Sequence, residues 1–131
     1  MLKHPRFYLP PILYVLLILF LSSLNQQTVV RYSFDLKDIV LHFLEYHFYG
    51  VLLIWGFLND QPLETLKRAY GKAILAGSLT AIADEFYQSF VPSRFASIHD
   101  VFSDVAGVVC AILTFMILIR IPLLNRWRLN A

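Results

Sequence analysis

The sequence contains a single cysteine, Cys110, which lies in an apolar run. One cysteine cannot form an intrachain disulfide, and it suggests no thiolate metal site. Charged residues are also scarce, at 15% of the chain, against about 25% in soluble domains. The formal net charge of +2 is too small to indicate nucleic acid as a partner. The chain has no internal repeat, low-complexity segment or glycine-rich nucleotide loop.

Apolar residues make up 58% of the 131 residues, above the roughly 45–50% of soluble domains. This length suits one domain, which we predict to cover residues 1–131. A helix of about 20 apolar residues crosses about 30 Å of hydrocarbon. Four segments of about that length occur, so we predict an all-α integral membrane bundle of four transmembrane helices. The predicted spans are 9–24, 39–58, 70–91 and 98–121.

The first apolar segment has no charged residue between Phe7 and Val30. The basic residues before it could belong to a signal peptide. However, Ser22-Ser23-Leu24-Asn25 is a poor cleavage site, and three more apolar segments follow. We therefore interpret the segment as a retained first span.

The basic residues predict the orientation in the membrane. Four spans place both termini and the second loop on one side, with eight basic residues: Lys3, Arg6, Lys67, Arg68, Lys72, Arg120, Arg126 and Arg128. The other side has three: Arg31, Lys37 and Arg94. Because basic loops stay inside, we expect a multi-pass cell-membrane protein with both termini in the cytoplasm.

Polar residues concentrate at the predicted outer ends of spans two, three and four. They form rows on single helix faces: Asp38, His42, Glu45, Tyr46 and Tyr49 in span two, Asp84 and Gln88 in span three, and Asp100, Asp104 and Gly107 in span four. Lipid cannot solvate such rows, so they should point into the bundle. The rows of spans three and four could face each other across a hairpin at Val91-Pro92-Ser93-Arg94. Arg94 could reach either row as a bidentate partner.

The acidic residues of these segments outnumber the bases available to balance them. The acidic residues are Asp38, Glu45, Asp84, Glu85, Asp100 and Asp104. Arg94 and His42 could simply neutralise them and fix the hairpin, or the group could form a functional site. The excess then requires protonation of some carboxylates or a bound divalent cation. Zinc is a weaker option, because His42 is the only histidine with a clear inward position. Asp38, one turn before His42, could orient the imidazole ring. No other cofactor is predicted.

Two blocks of residues resemble the VanZ-like membrane proteins, which are associated with teicoplanin resistance in bacteria. The first is Asp38-x-x-x-His42-Phe43-x-x-Tyr46 with Gly50, although Ile39 stands where the family usually has Lys. The second is Asp84-Glu85-x-x-Gln88 followed by Val91-Pro92-x-Arg94, Ser97, Asp100 and Gly107. Ser93 replaces a frequent Gly, and Asp104 stands where Asn is common. The resemblance implies a small multispan envelope protein associated with lowered glycopeptide susceptibility.

These observations predict an outward-facing polar pocket that binds, or also modifies, an amphiphilic envelope molecule. Candidate ligands are membrane lipids or lipid-linked envelope molecules: a lipid-linked cell-wall precursor, a phospholipid headgroup or the lipid tail of a lipoglycopeptide. In an enzymatic version, Glu85, His42 and Asp84 form the catalytic group, with proton exchange between Glu85 and His42. The residues expected to contact the ligand are Arg94, Gln88, Asp38, Asp100, Asp104 and Tyr46.

Two other functions stay open. The protein could be a non-catalytic partner that recognises another membrane component, which needs the same charged pocket. It could also be a small ion-coupled carrier, which at this size would need to be a homo-oligomer. No acidic residue is apparent at the cytoplasmic side of a span, and a carrier would be expected to have one.

Overall fold

The computed structural model describes residues 5–24, 36–60, 65–92, 94 and 96–121. These residues form four α-helices and no strand, which confirms the predicted all-α bundle. A short 3₁₀ turn at Pro5–Tyr8 leads into the first helix. The helices are α1 (Leu9–Ser23), α2 (Leu36–Asp60), α3 (Leu66–Gln88) and α4 (Ile98–Leu118).

Three of these segments are long and apolar enough to cross a membrane: Pro5–Ser23, Leu36–Asp60 and Ile98–Leu118. The α3 helix has a similar length of 23 residues but is less apolar. It carries Lys67, Arg68 and Lys72 in its first two turns and Asp84 and Glu85 near its end. Both acidic side chains are buried, because α3 packs against α2 and α4. The charges of α3 therefore lie at its two ends or inside the bundle.

Local signals explain where α3 begins and ends. Thr65 caps its start, since the Thr65 hydroxyl accepts a hydrogen bond from the Arg68 N–H at 3.4 Å. The helix ends at Gln88, sooner than predicted, because the Phe90 and Val91 N–H groups turn back to the carbonyls of Tyr87 and Gln88 at 3.0 Å. Ser93, in the predicted hairpin turn at 91–94, lies outside the described residues.

The α2 helix is longer than predicted and continues through Asn59 and Asp60. The predicted second span ended at Leu58, and that boundary was wrong. The Asn59 side chain donates to the Trp55 carbonyl at 2.8 Å, and Asp60 accepts from the Tyr8 hydroxyl at 3.1 Å. Asn59 thus bonds to a carbonyl of its own helix, and Asp60 bonds to a residue packed beside that helix. Because both polar side chains have partners there, the last turn remains helical.

The closest helix pair is α2 with α4, and glycines let their backbones approach. A Cβ atom on Gly107 would overlap the Phe43 carbonyl oxygen and lie 2.9 Å from the His47 nitrogen. On the facing helix, a Cβ atom on Gly50 would lie 2.8 Å from the Ala111 Cβ. Small residues commonly permit such contacts between membrane helices. This approach brings Asp104, one turn before Gly107, against α2.

The outer surface of the bundle is apolar on all four helices. Leu13, Phe48, Leu79 and Leu113, one from each helix, are each more than half exposed. A soluble monomer rarely exposes apolar surface on this scale, whereas hydrocarbon solvates it well. The surface therefore agrees with the three membrane-crossing segments.

Candidate functional site

Buried polar residues gather at one end of the bundle, where α1 and α3 end and α2 and α4 begin. They come from all four helices: Ser22, His42, Asp84, Glu85, Gln88, Asp100, Ser103 and Asp104. We call these eight residues the polar cluster. The structure thus brings together most of the residues that the sequence singled out, and it adds a residue from α1.

The centre of the polar cluster is a contact between His42 and Asp104. His42 Nδ1 lies 3.0 Å from Asp104 Oδ1, and the two residues are only 6% and 0% exposed. We expected Asp38 to orient the imidazole ring, but Asp104 of α4 does so instead. The close approach of α2 and α4 at Gly107 places it there. Because Asp104 occupies Nδ1, the other ring nitrogen, Nε2, is the one available to a ligand.

The row of Asp84 and Gln88 faces α1. Gln88 Nε2 donates to Asp84 Oδ2 at 3.1 Å and to Ser22 Oγ at 3.2 Å. Ser22 was not among the predicted site residues. Its only signal was a hydroxyl near the end of an apolar span. Among the described residues, the row of Asp84 and Gln88 therefore forms its hydrogen bonds with α1, and Asp104 forms its hydrogen bond with α2. The two rows do not bond to each other.

Arg94 joins the polar cluster to the end of α1. Its Nη2 donates to the Leu21 carbonyl at 3.1 Å, and its Nη1 donates to Gln88 Oε1 at 3.4 Å. Arg94 thus reaches the row of Asp84 and Gln88 as expected, but through the Gln88 amide oxygen, and among the described residues it makes no bidentate contact with that row. Carbonyls in the last turn of a helix lack helical partners, so the guanidinium acts as a cap for α1 and remains beside the acidic groups.

Glu85 connects α3 to the start of α4. Its Oε2 accepts a hydrogen bond from the Ser97 N–H at 2.7 Å, and Ser97 is the residue that precedes α4. A carboxylate is stabilised at a helix N-terminus. In the described part of the chain, Glu85 makes no hydrogen bond with His42, its expected partner for proton exchange.

Several buried polar atoms of this region have no hydrogen-bond partner among the described residues: Tyr46 Oη, Asp84 Oδ1, Glu85 Oε1, Arg94 Nε and Asp104 Oδ2. Such atoms are rare in native proteins and each is costly. Three of them are second oxygens of carboxylates whose first oxygen is bonded. The region therefore has spare acceptors for protons, water or a ligand.

A groove of about 510 Å³ opens between the end of α1 and the start of α2. Its lining residues are Tyr14, Leu21, Ser22, Leu24, Asp38, Leu41, His42, Leu44, Glu45, Phe48 and Arg94. The leucines and Phe48 that form its walls are also exposed on the lipid-facing surface. The groove thus joins an apolar, membrane-facing wall to a charged wall of Asp38, His42, Glu45 and Arg94.

Of the other predicted residues, Asp100 belongs to the polar cluster, and Tyr46 and Asp38 lie outside it. Tyr46 is fully buried and packs against the Tyr49 ring at 5.9 Å. Asp100 is buried and Asp38 half-buried. Donor atoms of Asp38, His42 and Asp100 lie within 4.8 Å of one another.

A buried acidic residue also exists at the opposite end of the bundle, where none was expected. Asp60 is 1% exposed and accepts from the Tyr8 hydroxyl. Asp60 was not predicted as a span residue, because the predicted second span ended at residue 58.

The family model VanZ/LLP1 matches residues 7–120, which include both blocks of polar residues and all the helices that contribute to the polar cluster. No curated protein and no solved structure matches the chain. Since the family match covers most of the sequence, the chain belongs to the VanZ/LLP1 family.

Proposed function

We propose that this membrane protein binds an amphiphilic molecule of the cell envelope in the groove between α1 and α2. The observation that carries this proposal is the pairing of two kinds of wall in one groove. Leu41, Leu44 and Phe48 supply an apolar surface open to the acyl chains, and His42 and Arg94 supply polar groups beside it. An amphiphile has the same two parts, an apolar chain and a polar head.

The charged wall indicates the kind of head group. The Arg94 guanidinium suits a phosphate or carboxylate, while Glu45 and His42 suit hydroxyl or amine donors. A lipid-linked cell-wall precursor, a phospholipid and the tail of a lipoglycopeptide each fit this pattern. The tail of a lipoglycopeptide would connect the groove directly to the lowered glycopeptide susceptibility associated with VanZ-like proteins.

We place the groove at the outer leaflet. The basic residues Arg6, Arg68, Lys72 and Arg120 lie at the end of the bundle away from the polar cluster, and basic residues flanking spans stay in the cytoplasm. A reporter fused after Val91 should therefore be exposed outside the cell. A cytoplasmic reporter at that position would contradict this orientation.

Binding and catalysis would use the same groups, and an enzymatic version assigns them specific tasks. His42 would act as the base through Nε2, with Nδ1 held by Asp104. Glu85 would use its unpaired Oε1, because Oε2 is bonded to Ser97. Incubating the purified protein with labelled envelope lipids separates the two versions: a covalent change in the lipid indicates catalysis, and unchanged lipid indicates binding alone.

Replacing Arg94 with glutamine is expected to raise glycopeptide susceptibility to that of cells lacking the protein. The shorter, neutral side chain loses the charge-assisted hydrogen bonds, each worth about 1.5–3 kcal/mol, or about 10- to 100-fold in affinity. The matched control is Arg120→Gln, because Arg120 is exposed at the opposite end. The measurement is growth inhibition by teicoplanin at equal membrane abundance. Unchanged susceptibility of the Arg94 variant would refute the proposal.

One observation favours a second function, an ion-coupled carrier. Asp60 provides a buried carboxylate at the other end of the bundle, as a transport path would require. However, the apolar residues Ile18, Leu53 and Ile54 pack between the two acidic ends. The test is ion-driven uptake into proteoliposomes by the unmodified protein and by the Asp60→Asn variant. Uptake that the substitution abolishes would support this carrier. Uptake by the variant equal to that of the unmodified protein would exclude a carrier that works through Asp60.

A further inference from the structure

We propose that Asp38, His42 and Asp100 form a binding site for a divalent transition-metal ion, Zn²⁺ or Mn²⁺. Asp38 and His42 also line the groove, and a metal bound at His42 Nε2 would replace the general-base role given to that nitrogen above, but the proposal does not require a ligand in the groove. The site lies between α2 and α4, on the inner side of the charged wall.

The geometry of the three residues suits metal coordination. Asp38 and His42 are one turn apart on α2, and Asp100 is in the first turn of α4. One donor atom from each residue lies within 4.8 Å of the other two. Ligands of a tetrahedral zinc ion are roughly 3.4 Å apart, given bonds of about 2.1 Å. Small rotations of the two carboxylates would close that difference.

Asp104 holds the imidazole in the form that a metal requires. Its Oδ1 lies 3.0 Å from His42 Nδ1, which leaves Nε2 to coordinate the ion. Metal-binding histidines commonly donate their other nitrogen to a carboxylate in this way, which fixes the ring and increases its basicity. Asp104 is 0% exposed, so the arrangement is built into the core.

The surrounding charge provides a second, independent indication. Asp100, Asp104 and Glu85 all interact electrostatically with His42. Of these, Asp104 Oδ2 and Glu85 Oε1 are buried atoms without partners in the described residues. Buried carboxylate oxygens without partners are costly in a membrane interior. A divalent cation bound beside them would offset that cost.

The ligand types select the metal. An imidazole nitrogen with two carboxylates suits zinc and other first-row ions, whereas Ca²⁺ and Mg²⁺ prefer sites made entirely of oxygen. Three protein ligands also leave a coordination position for water, as in catalytic zinc sites. We expected zinc to be disfavoured because a second inward histidine was absent, but Asp100 supplies the third ligand.

The test is metal binding by the purified full-length protein in detergent, stripped with a chelator and titrated with Co²⁺ and Zn²⁺. We expect one ion per chain, with the visible absorption of four- or five-coordinate Co²⁺. Asp100→Asn and Asp38→Asn should each weaken binding at least about tenfold, because even the loss of a group that only supports a metal ligand costs roughly 10- to 100-fold. Asp38 is half-buried, so its variant keeps the test valid if the Asp100 variant fails to fold.

The matched controls are His47→Gln and Asp60→Asn, which remove the same residue types elsewhere on α2. Both should bind cobalt like the unmodified protein. Failure of the unmodified protein to bind one ion would overturn the proposal, and so would an equal loss of affinity in the controls. Because no lipid or glycopeptide is present, this result is separate from that for the groove ligand.

Discussion

Replacing His42 with alanine is expected to lower the free energy of unfolding by about 3–5 kcal/mol, the range for breaking a buried pair by removing one partner. His42 Nδ1 is the only partner of the Asp104 carboxylate among the described residues. Without it, a fully buried carboxylate next to Asp100 has no hydrogen bond on either oxygen. The polar cluster would lose its central contact.

Reversible unfolding in mixed detergent micelles, with a chelator present to remove metal effects, measures this change. The control is His47→Ala, which removes a hydrogen bond of 3.1 Å to Thr114 of α4. A side-chain hydrogen bond between membrane helices contributes on average about 0.6 kcal/mol to stability. The double variant His42→Ala with Asp104→Ala should lose less than the sum of its single variants. Equal losses for the two histidine variants would contradict this description of the pair.

Replacing Gly107 with alanine is expected to destabilise the protein by about 3 kcal/mol, at the upper end for overpacking a core. The added methyl group meets backbone atoms, the Phe43 carbonyl and the His47 nitrogen, and neither can rotate away. The helices α2 and α4 must therefore separate. That movement also pulls Asp104 from His42, so His42 and Gly107 variants should not be additive.

Gly71→Ala is the matched control, since a Cβ atom at Gly71 meets nothing within 4 Å. There, alanine should stabilise α3 by about 0.5–1 kcal/mol through its helix propensity. The two glycine substitutions are therefore expected to have opposite signs in the same unfolding assay. A Gly107 variant as stable as the unmodified protein would show that the α2–α4 contact is looser than described.

The helices could be predicted because each apolar segment is close to the length that a membrane requires. The inward row of α2 could also be predicted, since the spacing of His42, Tyr46 and Tyr49 places them on one face, and all three are buried. Helical periodicity determines such a face without knowledge of the neighbouring helices.

The partners of the polar groups could not be predicted, because they depend on how the helices pack. Arg94 donates a hydrogen bond to the Leu21 carbonyl at the end of α1. Leu21 lies far earlier in the chain, and nothing local in the sequence connects the two residues. His42 pairs with Asp104 because two glycines bring α2 and α4 together, whereas spacing alone favoured Asp38. From its position after the predicted second span, Asp60 was expected to lie in a loop, and its hydrogen bond with Tyr8 depends on the packing of the first segment against α2.

The most direct test of the proposed function is to fill the groove. Leu44→Trp places an indole in the groove wall, and Leu79→Trp places one on the lipid-facing surface of α3; these leucines are 45% and 60% exposed. Native mass spectrometry after mild detergent extraction counts the amphiphiles retained by each chain. We expect one in the unmodified protein and the Leu79 variant, and none in the Leu44 variant. Equal retention by both variants would contradict binding in this groove.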